Sequence, residues 1–191
     1  MEVDISELDS AYRLLAGSVI PRPIAWVSTR GESGENLAPY SFFNVVSVDP
    51  PVVMFAPVGT GEDLKDTPRN ILDTEQFVVN VVTMDLVEAM NATSATVEKS
   101  EFEHADLERA ESVRVDAPRV AGAKVAFECE LYDFVEIGRS SMVLGEVVYA
   151  HVAEDATTEG KVDVTKLDAV GRLSGSYYAS TRDRFSLERP P

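Results

Sequence analysis

Apolar residues along the chain either alternate with polar ones or run together in short β-branched stretches. Residues 77–83 form a near-continuous β-branched run, which is typical of a strand buried on both faces. Residues 124–137 and 141–152 are longer strand candidates, and Gly138, Arg139 and Ser140 are expected to join them as a hairpin connection. Shorter strand candidates lie at residues 24–29, 45–48 and 52–56. The pattern therefore predicts at least six strands.

The candidate strand at residues 124–137 has a period close to two. Its apolar positions are Val125, Phe127, Cys129, Leu131 and Phe134. Glu128 and Glu130 fall on the opposite face. The period therefore predicts a strand with one apolar face.

Helical patterns are fewer and lie between the strands. Residues 5–16 are typical of a short helical or irregular lead-in, and residues 84–97 and 102–110 have helical character. A further helix is expected to start with Thr67 as N-cap and Pro68 at its first position. Because strands and helices do not alternate regularly, the chain is expected to be mainly β, a β-barrel with peripheral helices in a single domain over residues 1–191.

Composition indicates a folded protein of the cytoplasm. Hydrophobic residues make up 45% and charged residues 26%, and no apolar run approaches the roughly 18 residues that span a bilayer. With one cysteine and two histidines, the sequence has no disulfide framework and no zinc-site spacing, so no metal is expected. A pairing of Cys129 with a histidine stays formally open, although an inert core thiol is the simpler interpretation.

Charge is the unusual feature of the composition. Asp and Glu number 33 against 17 Lys and Arg, which gives a net charge of −16. This surface is expected to repel nucleic acid and anionic membranes. It also suits concentrated salt, where self-repulsion is screened, and so indicates a halophilic host. An ordinary acidic cytosolic protein is the alternative.

Three segments carry more polar chemistry than a connection needs, and the sequence contains no Rossmann, P-loop or nucleophile-elbow motif. The first is residues 36–44, interpreted as a loop ahead of a strand. Aromatic side chains stand there beside a serine and two asparagines, and they could border a flat aromatic ligand. The alternative is a barrel strand whose aromatic side chains fill the core.

The second segment, residues 65–70, could bind phosphate. A helix starting at Pro68 would leave the Arg69 and Asn70 amides without acceptors, and Lys65 and the Thr67 hydroxyl could supplement them. A plain capped helix with solvated charges is the alternative. In the third segment, residues 20–29, two prolines flank Arg22 and could present it as a fixed cation. The simpler alternative is that the prolines only mark the start of a strand and that Trp26 belongs to the core.

Taken together, the segments resemble the flavin reductase-like family of flavoredoxin-type FMN-binding split barrels. The matching motifs occur in the family's order over about residues 10–190: Arg22-Pro23-Ile24-Ala25-Trp26-Val27-Ser28-Thr29, Asn36-Leu37-Ala38-Pro39-Tyr40-Ser41-Phe42-Phe43-Asn44, Asp49-Pro50-Pro51, Lys65-Asp66-Thr67 with Asn70-Ile71, Phe77-Val78-Val79-Asn80, and Gly171-Arg172-Leu173-Ser174-Gly175-Ser176-Tyr177-Tyr178. The chain departs from the family at Ser174, where a second glycine is usual.

The resemblance implies a homodimeric split barrel that holds FMN near the subunit interface. It implies that Lys65 and Thr67 bind the phosphate. The side chains implied to border the ring and the ribityl chain are Tyr40, Ser41, Phe42 and Phe43. Arg22 and Ser28 are implied to lie close to the cofactor, and Tyr178 to close the site.

The resemblance further implies an NAD(P)H-dependent flavin reductase, with hydride passing from NADH or NADPH to FMN and electrons then to free flavin, a redox partner protein or another acceptor. No catalytic side chain is required, because the cofactor carries the redox chemistry. Two alternatives stay open: an FMN-dependent electron carrier that reacts poorly with nicotinamides, and a split-barrel module that binds another ligand without catalysis.

Overall fold

The computed structural model describes residues 2–32, 34–97 and 99–190, and strands prevail over helices within these ranges. The strands are β1 (Arg22–Pro23), β2 (Ala25–Gly31), β3 (Gly34–Tyr40), β4 (Phe43–Val48), β5 (Pro51–Phe55), β6 (Gln76–Val81), β7 (Arg109–Ala110), β8 (Arg119–Val120), β9 (Val125–Ile137), β10 (Ser140–Val152), β11 (Thr157–Thr158), β12 (Lys161–Val162), β13 (Val170–Arg172) and β14 (Tyr178–Ser180). The helices are α1 (Tyr12–Ser18), α2 (Asp66–Thr74), α3 (Val87–Ala92), α4 (Glu101–His104) and α5 (Val164–Leu167).

Seven strands form one antiparallel sheet in the order β3-β2-β6-β9-β10-β5-β4. The sheet wraps around an apolar core that includes Phe55, Phe77 and Cys129. A smaller sheet, β1-β13-β14, lies beside it. The expected β-barrel with peripheral helices is confirmed.

The centre of the sheet agrees with the sequence pattern. Strand β6 pairs with β2 on one side and β9 on the other, and Phe77 is fully buried. Strands β9 and β10 form the expected hairpin, whose turn contains Gly138 with φ at +60°. Ser140 belongs to the second strand of this hairpin, because it pairs with Ile137.

The two longer predicted helices are much shorter than their patterns indicated. The 84–97 pattern yields only α3, since Thr93 turns inward and its hydroxyl accepts a hydrogen bond from Nε1 of Trp26 at 2.9 Å. The 102–110 pattern yields only α4, which ends before Asp106, whose φ is +52°. Arg109–Ala110 then pairs as a strand with Arg119–Val120.

The short helices cover the second face of the sheet. They enclose a second core, which contains Trp26, Met90 and Phe102. The N-terminal lead-in contains α1, of which only Ala16 is buried. Of the described helices, none has the length and apolar character needed to cross a membrane.

Candidate functional site

Helix α2 begins beside strand β3 and carries the two side chains predicted to bind phosphate. Lys65 is its N-cap, and the amide of Arg69 donates to the Lys65 carbonyl oxygen at 3.2 Å. The helix therefore starts at Asp66, so the predicted start at Pro68 was wrong by two residues. The amides that lack an acceptor within the helix are consequently those of Asp66 and Thr67 rather than those of Arg69 and Asn70.

Thr67 does not act as the predicted N-cap. Its side chain is 1% exposed, and its hydroxyl donates to Oδ1 of Asn36. This bond ties the first turn of α2 to strand β3. The physical reason for the earlier helix start is therefore a tertiary hydrogen bond that uses the hydroxyl otherwise available for capping.

A cavity of about 200 Å³ opens at this helix start, and we call it the α2 cavity. Its lining includes Asn36, Tyr40, Lys65, Asp66, Thr67 and Glu101. Lys65 is exposed, and the helix dipole adds positive potential beside it. The Glu101 carboxylate accepts hydrogen bonds from Nδ2 of Asn36 at 3.2 Å and from the amide of Leu37 at 3.1 Å. The cavity therefore offers donors for an anionic group at one end and carboxylate acceptors for hydroxyl groups nearby.

Residues 36–40 lie in strand β3 and not in the predicted loop. Tyr40 pairs with Ala25 of β2, and its ring lies 4.8 Å from that of Phe55. Burial raises the pKa of Tyr40 to about 12, although a hydrogen bond with Thr67 opposes the shift. Phe43 also packs against the core. The alternative interpretation, that these aromatic side chains fill the core, therefore applies to Tyr40 and Phe43, while Tyr40 also borders the α2 cavity.

A larger cavity of about 520 Å³ adjoins the α2 cavity, and we call it the arginine cavity. Its lining includes Arg13, Arg22, Ser41, Arg172, Ser174 and Tyr178. Pro39 and Ser94 border both cavities. The two cavities therefore form neighbouring parts of one cleft, and the larger has the volume typical of small-molecule sites.

Arg22 is a fixed part of this cleft. It is 7% exposed and donates to the carbonyl oxygens of Ala16, of Val19 at 2.8 Å and of Leu173 at 2.8 Å. Its Nε lies 3.4 Å from the hydroxyl of Ser41. These bonds join the end of α1 to the closing segment after β13, and all of the Arg22 partners are neutral.

The Phe42 ring borders this arginine on its outer side. The Arg22 guanidinium lies 5.6 Å from the ring centroid, and Phe42 is 39% exposed. Of the aromatic side chains in residues 40–43, Phe42 is therefore the one left available to a ligand or to another chain.

The closing segment after β13 forms the opposite wall. Arg172 stacks on the Tyr178 ring at 4.5 Å and donates to the Tyr178 hydroxyl and to the Gly175 carbonyl oxygen. The Tyr178 hydroxyl donates to Oδ1 of Asn91 at 3.2 Å. Gly175, with φ at +61°, supplies the left-handed residue of this turn. The serine at position 174 is accommodated because the left-handed conformation falls on the following residue.

Ser28 lies away from the cleft. It is fully buried, donates to the Pro118 carbonyl oxygen at 2.5 Å and accepts from Nδ2 of Asn80 at 3.1 Å. It borders neither the α2 cavity nor the arginine cavity. Its proximity to a cofactor stays a prediction.

Several residues of the cleft had no assigned role in the sequence. Arg172 lies within the matched motif at residues 171–178, so the motif already indicated that this segment belongs to the site. Arg13 and Ser94 stood in no motif, and no local pattern marks either of them. They reach the cleft only because α1 and the segment after α3 pack at its rim.

Cys129 and His151 lie outside the cleft, and neither lines the α2 cavity or the arginine cavity. Cys129 is fully buried, and burial together with the charge of Glu128 raises the pKa of its thiol. Nε2 of His151 lies 2.5 Å from Oε1 of Glu128, whereas the Cys129 thiol donates to the carbonyl oxygen of Phe127. Within the described ranges, no three His, Cys, Asp or Glu side chains are grouped as a metal site would require. The cleft can bind a flat ligand that carries an anionic group.

Residues 16–172 match a family described as "Flavin reductase like domain". The fold superposes with a TM-score of 0.93 on nitrilotriacetate monooxygenase component B from Bacillus cereus, at 33% identity over 98% of each chain. It superposes with a TM-score of 0.92 on 2-nitrobenzoate 2-nitroreductase from Pseudomonas fluorescens, at 37% identity over 100% of this chain and 96% of that one. Flavoredoxin of Desulfovibrio vulgaris shares the fold, with a TM-score of 0.79 and 19% identity over 98% of this chain and 97% of its own.

Proposed function

Since the chain belongs to the flavin reductase-like family, we propose that it is an FMN-binding oxidoreductase that takes hydride from NADH or NADPH. Electrons then pass to free flavin, a partner protein or another small acceptor. The observation that carries this proposal is the two-part cleft, in which a helix start with Lys65 adjoins a cavity large enough for a ring system.

The α2 cavity fits the phosphate end of FMN. Lys65 is exposed there, and the amides of Asp66 and Thr67 have no acceptor within the helix. The Glu101 and Asp66 carboxylates would repel phosphate if they faced it directly. They are, however, suitable acceptors for the hydroxyl groups of a ribityl chain. Lys65 and the backbone amide of Thr67 would therefore hold the phosphate, with the ribityl chain next to it.

The arginine cavity fits the ring end of FMN. Tyr40 and Ser41 follow Pro39 along the chain from one cavity to the other, so a single ligand could lie along this segment. Arg22, Phe42 and Tyr178 would complete the surroundings of the ring, whereas Phe43, which packs against the core, would lie behind them. Bound FMN would supply the redox chemistry, while these side chains bind it, orient it and limit access of water.

We further propose that the functional unit is a homodimer. Strand β4 is the last strand of the large sheet, and Val45, Val46 and Val48 on it are all more than half exposed. An exposed apolar edge strand is a liability in a monomer, because its free backbone groups and side chains invite pairing. A second copy that covers β4 would remove this exposure.

The charge supports a proposal about the environment in which the protein works. A net charge of −16 with only five lysines favours the cytoplasm of a cell that accumulates salt. The same charge disfavours nucleic acid and anionic membranes as partners.

The phosphate assignment is tested by comparing FMN with riboflavin, which lacks only the phosphate. Lys65→Ala should weaken FMN binding by about 10- to 100-fold, as expected for a lost hydrogen bond to a charged group. Thr67→Val should weaken it less, because the Thr67 hydroxyl donates to Asn36 and only the Thr67 amide is available to the phosphate. Riboflavin binding should change little. Lys161→Ala, which removes an exposed lysine from β12, is the matched control. Equal losses for FMN and riboflavin, or no loss for either, would show that the phosphate lies elsewhere.

The activity is tested by an anaerobic visible spectrum of the FMN-loaded protein before and after addition of NADH or NADPH. Rapid bleaching by one of them identifies a reductase and its donor. A yellow protein that neither nucleotide bleaches would contradict direct NAD(P)H oxidation and favour an electron carrier. A colourless protein that ignores added FMN would contradict the flavoprotein proposal itself.

A further inference from the structure

The arginine cavity has a charge opposite to that of the molecule. Three of the chain's twelve arginines, Arg13, Arg22 and Arg172, line it. None of the described residues that line this cavity is acidic, although Asp and Glu together number 33 in the chain. The α2 cavity next to it, in contrast, includes both Asp66 and Glu101. Positive charge is therefore concentrated in one part of the cleft.

No carboxylate neutralises the three guanidinium groups within the described residues. Arg22 and Arg172 donate to carbonyl or hydroxyl oxygens, and within the described part of the chain neither they nor Arg13 form an ion pair with a carboxylate. The arginines elsewhere that pair with carboxylates are Arg30, Arg109 and Arg182. A cation bonded only to neutral oxygens leaves the cavity with a positive potential that a bound anion can satisfy.

The three arginines differ in their contacts and in their exposure. Arg22 is held by three carbonyl oxygens and is a fixed source of charge. Arg172 is oriented by the Tyr178 ring, with which it closes the cavity on one side. Arg13 is exposed at the rim, on the first turn of α1. Guanidinium groups bind carboxylate and phosphate through N–H donors, and Arg13 and Arg172 line the same cavity, so both can donate to such a group.

We infer that the part of the arginine cavity lined by Arg13 and Arg172, beside the space proposed for the flavin ring, is an anion-binding subsite for the second, non-flavin substrate. Arg13 and Arg172 bind a carboxylate or phosphate group of that substrate, and Arg22 supplies fixed positive charge beneath it. The inference rests on the proposed function only for the identity of the neighbouring ligand, FMN. Anion binding itself does not require flavin. Two sources of the same chemistry fit: the pyrophosphate of a nicotinamide dinucleotide and the carboxylate of a small organic acceptor.

The test measures anion binding by titration calorimetry at constant ionic strength, with and without saturating FMN. The probes are inorganic pyrophosphate, benzoate and, as the uncharged counterpart of benzoate, benzamide. Arg13→Gln and Arg172→Gln should each weaken binding of at least one anion by about tenfold or more, as expected when a charged hydrogen bond is lost. Arg139→Gln removes the same charge at the β9–β10 turn and should leave binding within about twofold of the unmodified protein.

The outcomes distinguish the sources and can overturn the inference. Pyrophosphate binding alone assigns the subsite to the dinucleotide, and benzoate binding assigns it to an acid acceptor. Failure of all anions to bind, equal effects of the Arg139 control, or equal binding of benzamide and benzoate would each overturn the anion site. Weakened binding of FMN but not of riboflavin in Arg13→Gln would also overturn it, because the cavity would then hold the cofactor's own phosphate.

A loss of anion binding can be separated from a loss of folding and from a loss of FMN binding. Arg13 is exposed and has no hydrogen-bond partner among the described residues, so Arg13→Gln should melt at the same temperature as the unmodified protein even if Arg172→Gln loosens the closing segment. FMN binding is measured on the same samples. Loss of the proposed function would appear as absence of FMN binding, whereas failure of the anion site would appear as absence of probe binding in a protein that still binds FMN.

Discussion

Glu128 is a fully buried carboxylate on strand β9, and it anchors a loop rather than facing solvent. It accepts hydrogen bonds from the amides of Val113 at 2.8 Å, Arg114 at 2.6 Å and Val115 at 3.2 Å, in addition to its contact with His151. Burial raises the pKa of Glu128, but the hydrogen bonds from His151 and the three amides outweigh this effect and leave the pKa lowered. The carboxylate is therefore stabilised in its charged form.

This environment predicts a pH-dependent contribution to stability. Glu128→Gln should lower the free energy of unfolding by about 2–4 kcal/mol near neutral pH, because several charge-assisted hydrogen bonds are lost at a buried site. Since the folded-state pKa lies below the unfolded value of about 4.3, the stabilisation is present above that value and is lost as pH falls through the folded pKa. Denaturant unfolding of both proteins from pH 7 to pH 3 measures it.

The control for this prediction is the next glutamate on the same face of β9. Glu130 is exposed, and Glu130→Gln should change the free energy of unfolding by less than about 0.5 kcal/mol at every pH. A difference between unmodified protein and Glu128→Gln that stays constant down to pH 3 would contradict a role for the charged carboxylate.

Strand β4 is the element on which the proposed dimer depends. Its pairing with β5 is interrupted by a bulge between Val45 and Ser47, and no further strand of the large sheet follows it. Its valines therefore face outward from the end of the sheet instead of entering the core. Such an element is better explained by a second chain than by the protomer alone.

The proposed dimer predicts the effect of a charge on this strand. Val46→Asp should convert a dimer into a monomer of 20.8 kDa, because an aspartate in an apolar interface loses its hydration. Light scattering coupled to size exclusion at several protein concentrations measures the mass. Val162→Asp introduces the same change at an exposed valine of β12 and should leave the mass unaltered. Monomeric unmodified protein would show that β4 has no partner copy.

The whole molecule combines a large negative charge with one positively charged cavity. The self-repulsion of a chain with a net charge of −16 opposes compaction, and it acts over distances that salt screens. The arginine cavity is proposed to attract small anions although the net charge of the molecule is negative. Association of an anionic substrate and stability of the fold should therefore respond to salt in opposite directions.

The net charge predicts a rise in thermal stability with salt. Between low and molar KCl the melting temperature should increase by several degrees, since screening removes the repulsion that favours unfolding. A melting temperature that stays flat or falls over this range would indicate an ordinary acidic protein without adaptation to salt. Sodium sulfate is unsuitable for this comparison, because it stabilises folded proteins by exclusion from their surface.

Much of the β-sheet could be predicted from local patterns. The buried strand β6 and the β9–β10 hairpin follow from β-branched runs and period two, because these patterns report burial directly. The ends of α3 and α4 could not be predicted in the same way, since both helices are shorter than their patterns indicate. Their ends depend on Thr93 turning toward Trp26 and on the left-handed Asp106, and both are tertiary or conformational events.

The candidate site was predictable only in part. The Lys65–Thr67 segment was visible as a polar helix start, whereas the residue at which the helix begins depends on the bond from Thr67 to Asn36 across to β3. Glu128 fell on the expected face of its strand, but the loop that covers that face is far away in the sequence. Periodicity reports which face a side chain takes and not what packs over it.

By itself, the sequence determined the mainly β fold, the order of the family's motifs and the negative charge, since each is carried by composition or by residues close together in the chain. Only the tertiary structure decided that Arg13, Arg22 and Arg172 line one cavity without acidic neighbours. Helix α1 and strand β13 meet there because the β1-β13-β14 sheet pairs the two ends of the chain. The chemistry of the cleft depends on that long-range pairing, which no local pattern encodes.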